Sequence, residues 1–579
     1  MLAEHPAGTA GIRHGSAPGD LRSWHVLWAL LAGYAWLMPT REPPWRSFYA
    51  DALAAVAVAV LAVGLSVVHR RRGLPAPTAV PFMLFIACIP AVQVLAGMQF
   101  FAGSAWMASA YAFGFAVAIL VGALWHEADA DRAVDTLFLA LAIPAVVTAA
   151  MMIYQWLGLD GMTMWVRPIS ASGRPAGNLG QPNQAAMLCM WGLIGLGWLC
   201  WRRKLHGALA ASLGALLVAG MVLTQSRGIV LQAAALGVAL LVWRRQLADR
   251  RLIVGLGLMA LLYAGLFWGL HLLGREASEA TLRPSDEMLQ PGGRLLGWWY
   301  VVEALIRHPW AGYGWGQMTL AHYEVALDQP ALREYFQYAH NIVLDILAWN
   351  GVPLGLLVLA GPAWWFVSRA RRVADAASAF LMFMLVTVGA YALLEFPHAY
   401  ALLLLPVGLA VGLVEARQPA PLPRIRASLG VLAMLVAVVW WAAIVRDYRA
   451  IETAHQQIQF ELRRIGTYQA SHAPNVLLLT DEAAFQRLLK TRIRAGMPPE
   501  DVELLRRVSA LRPGGTLLMH YARAAALNGQ PREAGAALAR LCQLSPAFLC
   551  TKVLNAWADM AAQEPALQAV AVPVGVEQD

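Results

Sequence analysis

The sequence predicts an all-α polytopic membrane protein with about 13 transmembrane helices, one long extramembrane loop and a C-terminal helical domain. Three observations carry this. Hydrophobic residues make up 59% of the 579 residues and charged ones only 14%, a balance far from that of soluble domains. The apolar residues gather in runs of about 20, the length that crosses a hydrocarbon core about 30 Å thick. After Trp441 the composition changes to leucines at helical spacing interleaved with Glu, Gln, Arg and Ala, as in a soluble helical domain. The formal charge of +9 does not indicate nucleic-acid binding, because Lys and Arg sit in short clusters between apolar runs and not along one face.

Residues 1–22 are polar and rich in Gly and Ala, and no small-residue cleavage site ends the apolar run that follows. They are expected as a disordered cytoplasmic tail ahead of an uncleaved first helix. Apolar runs then place spans at roughly 24–40, 49–68, 77–98, 105–125, 136–157, 184–201, 206–224, 228–243, 252–273, 341–368, 377–396, 400–416 and 427–446. As a single helix, 206–243 would run about 57 Å, nearly twice the core, so it is expected to turn at Gln225–Gly228. With the N-terminus inside, cytoplasmic loops hold seventeen Arg and Lys, among them Arg70–Arg72 and Arg202–Lys204. The opposite short loops hold five: Arg41, Arg46, Arg167, Arg174 and Arg227. The positive-inside rule then puts the loop 274–340 and everything after the last span outside.

The expected organisation is a tail (1–22), a transmembrane domain (23–446), a helical domain (447–562) and a flexible end (563–579). Within the helical domain, Leu518, Tyr521, Ala522, Ala525, Gly529, Ala534, Leu538 and Pro546 follow one tetratricopeptide-like repeat. A plain helical hairpin leaves the same trace. Cys88, Cys189 and Cys200 lie in apolar helices as small hydrophobes, whereas Cys542 and Cys550 are free to pair in an oxidising compartment. No zinc or iron–sulfur spacing, phosphate-binding Gly-Lys-Thr loop or His-Glu-x-x-His helix is present. Neither metal nor cofactor is expected.

Three polar islands interrupt this apolar chain on its outer face: RPAGNLGQPNQ from Arg174 to Gln184, TQSRG from Thr224 to Gly228, and the 67-residue loop that ends at YAH. Polar groups are costly to keep beside lipid unless they serve a site. His340 ends the loop just before a span. A histidine there caps a helix as readily as it accepts a proton, but its ordinary pKa of about 6.5 suits it to activating a hydroxyl. Arg294 precedes LLGWWYVVEALIRHPW, an amphipathic segment for the membrane surface. Arg227 interrupts apolar sequence on the face where positive charge is disfavoured, and its fork matches phosphate. Arg174, Asn178, Gln181 and Asn183 of the first island, with Tyr338 and Asn341 beside His340, are the candidate substrate-binding residues. Glu395 and His398 in EFPHAY, and Asp345 within a span, serve either chemistry or structure.

The segments GNLGQPNQAA, TQSRG, GGRLLGWWYVVEALIRHPWAGYGWGQ and YAHNIVLDILAWNGVPLGLL resemble those of the O-antigen ligase and polymerase superfamily, specifically the bacterial PglL-type O-oligosaccharyltransferases. The resemblance spans about residues 160 to 560. It implies a GT-C-type bundle in the bacterial inner membrane that transfers a preassembled glycan from undecaprenyl diphosphate to Ser or Thr of a periplasmic protein such as pilin. It also implies inversion at the sugar and no metal. His340 matches the essential loop histidine, and Arg227 and Arg294 match the arginines that hold the diphosphate. Rival readings are an O-antigen ligase acting on lipid A-core, an O-antigen polymerase and, from another class, a lipid-linked glycan transporter. Orientation is testable without substrate. A phosphatase reporter fused after residue 450 should be active and one fused at Gln246 inactive, because only the periplasm permits its disulfides; the reverse pattern would invert the sidedness.

Overall fold

The computed structural model describes residues 19–68, 73–169, 173–247, 250–277, 293–419, 421–466 and 474–573. The expected tail up to residue 18, residues 278–292 of the long loop and residues 574–579 lie outside them. Helices dominate the described residues, whose only strands are the two-residue antiparallel pairing of Leu74–Pro75 with Arg424–Ile425. Its membrane part runs α1 (Gly19–Leu37), α2 (Phe48–Val68), α3 (Ala79–Leu95), α4 (Ala102–Trp156), α5 (Pro182–Trp201), α6 (Gly207–Leu223) and α7 (Gly228–Val242). After the short α8 (Arg244–Leu247) comes α9 (Arg250–Ala277). Two loop helices, α10 (Gly293–Arg307) and α11 (Met318–Val325), precede α12 (Ile342–Ala370), α13 (Ala376–Ala392), α14 (Ala401–Ala416) and α15 (Ala427–Leu462). Among the described residues six helices are long and apolar enough to cross a membrane, with five shorter apolar ones beside them. The chain is a multi-pass membrane protein.

The expected turn between α6 and α7 is present, with Gln225 at φ +49. The expected spans 105–125 and 136–157 form one helix, α4, broken at Asp129. Small residues let α14 press onto α4, as in membrane helix pairs generally. A Cβ at Gly122 would strike the backbone of Leu409, and one at Gly412 the backbone of Ile119. That contact fixes α14, and with it the turn from Leu393 to Tyr400 that carries Glu395.

The long loop is itself folded. Helix α10 buries Tyr300, Val301 and Ala304 and exposes Trp299, the amphipathic division its sequence predicted. The stretch after α10 hooks into a break in α12 at Gly351, whose φ of +72 interrupts the helix. There Val352 N donates to Pro309 O (2.7 Å), and Tyr313 N to Ala348 O (2.8 Å). A Cβ on Gly351 would come within 2.5 Å of the Trp310 backbone. Only glycine fits this crossing.

The domain boundary expected at residue 447 falls inside α15, which continues to Leu462. Helices α16 (Thr480–Leu489), α17 (Pro499–Leu511), α18 (Gly515–Leu527), α19 (Pro531–Leu544), α20 (Ala547–Ala561) and α21 (Pro565–Gln568) follow. Leu518, Tyr521, Ala522, Ala525, Ala534 and Leu538 form the seam of the α18–α19 hairpin, which turns at Gly529 with φ +79. Residues 563–573 depart from the expected flexible end, because Leu567 and Val570 are buried in this core. This domain grips the long loop: Arg333 N donates to Gln543 O (2.8 Å), Thr319 Oγ1 to Leu511 O (2.8 Å), and Arg540 lies 4.4 Å from the Tyr323 ring centroid.

Cys542 and Cys550 form a disulfide that joins α19 to α20, and Cys88, Cys189 and Cys200 are free. Denatured, unreduced protein should therefore react with maleimide at three thiols and reduced protein at five. Five reactive thiols before reduction would refute the bridge.

Candidate active site

Glu395, with a side chain 3% exposed, is where the scattered islands meet. It sits in the turn between α13 and α14, just before a single 3-10 turn at Pro397–Ala399. Its Oε1 accepts from Arg294 Nη2 at 2.5 Å and from Asn183 Nδ2 at 2.6 Å. Its Oε2 lies 3.1 Å from His340 Nδ1. Asn183 Oδ1 accepts from Arg174 Nη2 (3.2 Å), and Arg174 Nε donates to the Thr224 carbonyl (2.8 Å), which draws in the TQSRG island. Arg227, exposed at the N-terminus of α7, stands three residues after that carbonyl.

His340 adopts φ +54, a left-handed conformation that costs a non-glycine residue energy. The preceding peptide is clamped on both sides to hold it there. Ala339 N donates to Asp345 Oδ1 (2.7 Å), and Ala339 O accepts from Trp298 Nε1 (2.7 Å). The imidazole then stands edge-on to Phe396 (4.8 Å, 82°) and Phe336 (5.6 Å, 84°). With Nδ1–H donating a hydrogen bond to the carboxylate, the lone pair at Nε2 is the one that can accept a proton from substrate. This is the base-plus-orienting-acid arrangement of activated hydroxyls. Glu334 lies at the same place: burial raises its carboxyl above the ordinary range, against the opposing charges of His340 and Arg294.

The other predicted residues divide by what their side chains touch. Asn178 is spent on main chain, donating to Leu37 O (2.7 Å) and Trp165 O (2.8 Å) and accepting from Arg167 N (3.1 Å). Gln181 caps α5 by accepting from Gln184 N (2.9 Å), and Asn341 caps α12 by accepting from Val343 N (3.0 Å). Tyr338 stacks on Phe396 (4.7 Å, 9°), and burial raises its phenol pKa. Beside it, burial pushes His398 down to about 3, so that imidazole is neutral. Glu395 is the residue whose role the sequence left open. Its partners lie 55, 101 and 212 residues away, so the only local signal was an acid between two apolar spans.

Residues 212–359 match the O-antigen ligase family, 379–547 the C-terminal region of the virulence-factor membrane-bound polymerase family, and 175–200 the protein glycosylation ligase family. Apart from Arg174, these matches cover the residues that converge on Glu395. The chain is 30% identical over 443 residues to the general O-oligosaccharyltransferase of Acinetobacter baylyi, spanning 73% of this chain and 75% of that protein. It is 24% identical over 387 residues to the ComP-specific O-oligosaccharyltransferase of the same organism, across 66% of this chain and 70% of the relative. The chain therefore belongs to the PglL-type O-oligosaccharyltransferases, the membrane glycosyltransferases of protein O-glycosylation.

Proposed function

We propose that the chain moves a preassembled glycan from undecaprenyl diphosphate to a Ser or Thr hydroxyl of a pilin-like or other periplasmic protein, at the outer face of the inner membrane. The observation that carries the chemistry is one buried carboxylate, Glu395, fixing a base and a cation side by side: His340 at 3.1 Å and Arg294 at 2.5 Å. The acceptor hydroxyl gives its proton to His340 Nε2 as its oxygen attacks the anomeric carbon, with inversion and without a metal. The sugar–phosphate bond breaks, and the diphosphate leaves against Arg294 and Arg227. Arg174 and Asn183 line this path. Asn178, Gln181, Tyr338 and Asn341 act through the loops and rings they hold in place.

In this reading the eleven apolar helices of the described residues, with the two arms of α4 counted separately and α1 added, make thirteen spans of a GT-C-type bundle, which returns the C-terminal domain to the periplasm. The Cys542–Cys550 bridge supports that side, since disulfides persist where the compartment is oxidising. The helical domain, built around a tetratricopeptide-like hairpin, has two duties in this reading. It buttresses the loop that carries His340, and it offers the surface on which an acceptor segment is presented.

His340→Ala and His340→Gln should each lower transfer about 10²- to 10⁴-fold, the usual worth of a general base. Arg294→Lys and Arg227→Lys should each weaken donor use by about 1.5–3 kcal/mol, since lysine keeps the charge but loses the fork. Wild-type rates measured with purified lipid-linked glycan would remove these roles. The acceptor is tested by supplying cells that lack their own ligases with both a periplasmic pilin-like protein and lipid A-core. Glycan is expected on the protein, and a chain truncated after residue 450 should lose that transfer. Glycan on lipid A-core alone would replace the reading with that of an O-antigen ligase.

A further inference from the structure

Arg41 differs from the other outer-face arginines in being almost fully buried with no ion pair among the described residues. It lies between α1 and α2, is 4% exposed, and its Nε and Nη2 have no hydrogen-bond partner among the described residues. The neighbouring carboxylate is already engaged. Asp51 Oδ1 accepts from Leu402 N (2.9 Å), and Oδ2 from Ser47 Oγ (2.7 Å) and Tyr111 (3.5 Å). A guanidinium stays charged at any physiological pH, and the charge of Asp51 acts on this one without a hydrogen bond, so buried donors left without acceptors destabilise the empty protein. A second arginine meets it. At Gly180, held at φ +64, a Cβ would lie 3.2 Å from Arg167 Nη1 and 3.9 Å from Arg41 Cδ. Burial pulls Arg41 below its ordinary pKa, the charge of Asp51 opposes this and that of Arg167 adds to it, while Glu42 acts on Arg167 without forming an ion pair. Gly180 precedes by three residues the Asn183 that holds Glu395, at most about 11 Å along the chain.

We propose that Arg41 and Arg167, converging on Gly180, form an oxyanion site that takes a phosphate group of the lipid-linked donor beside the His340–Glu395 cluster. The proposal rests on the diphosphate donor inferred above. A phosphate oxyanion supplies what the pair lacks, namely several charged acceptor atoms within hydrogen-bond reach of forked donors. The unpaired charge is then a cost of the empty state that binding relieves, the signature of a functional site and not of a structural arginine.

The test uses the full-length protein in nanodiscs and Arg41→Met, an uncharged side chain of similar reach. Melting without ligand should occur at a higher temperature in Arg41→Met than in wild type, because a buried charge is removed. The stabilisation of wild type by undecaprenyl diphosphate should be largely lost in the variant, with affinity down and donor KM up about tenfold, as for loss of one charge-assisted contact. Undecaprenol, which lacks phosphate, should not distinguish the two. A variant that melts lower and binds undecaprenyl diphosphate normally would make Arg41 structural and overturn the proposal. A difference seen only with phosphatidylglycerol would place a phospholipid headgroup there and overturn the donor assignment. Arg167→Gln, on a more exposed side chain, repeats the binding comparison if Arg41→Met does not fold. His340→Ala, assayed in parallel, separates the two readings: its retained activity would sink the general-base role while leaving the oxyanion result standing.

Discussion

A carboxylate taken out of water must be matched by donors or it costs several kcal/mol, and one end of this bundle is arranged around that requirement at Glu395. One oxygen is filled by Arg294 and Asn183, the other by His340. Through Asn183 and Arg174 the demand passes on to the carbonyl of Thr224. Four segments that have no reason to meet on grounds of hydropathy are tied together by one acid. The same bonds that satisfy Glu395 set the tautomer and direction of the imidazole and hold a guanidinium beside it, so folding stability and chemical readiness are here a single arrangement.

Two supports keep that arrangement rigid. Below it, small residues bring α14 against α4 closely enough that the turn bearing Glu395 has little freedom. Above it, the loop leading to His340 is pinned at Gly351 on one side and by the C-terminal domain on the other, through Arg333, Thr319 and Arg540. The left-handed backbone of His340 persists because its neighbours over-determine it. The C-terminal domain thus braces the loop that carries His340. In the proposed reading, loss of the domain affects the active site itself as well as acceptor recruitment.

Arg294 and Arg41 show two ways of keeping an arginine near lipid. Arg294 is neutralised by Glu395 and remains partly exposed. Arg41 is more deeply buried, and its neighbour Asp51 is spent on other donors. The first is self-sufficient in the empty protein. The second is complete only with an anion, which is why it marks a binding position that composition and motifs pass over.

Hydropathy and charge asymmetry by themselves determined the helical membrane class, the approximate spans, the division of α6 from α7 and the gathering of polar islands toward one face, because each depends on local composition over about 20 residues. His340 and Arg294 were legible for the same reason: a titratable or cationic side chain stands out in a polar island. The tertiary structure alone decided that Glu395 is their common partner, that Asn178, Gln181 and Asn341 spend their side chains on main chain, and that Arg41 is left unpaired. Those are questions of which turns come within about 3 Å of one another. Across separations of 55 to 212 residues, that is fixed by helix packing and not by any periodicity the sequence displays.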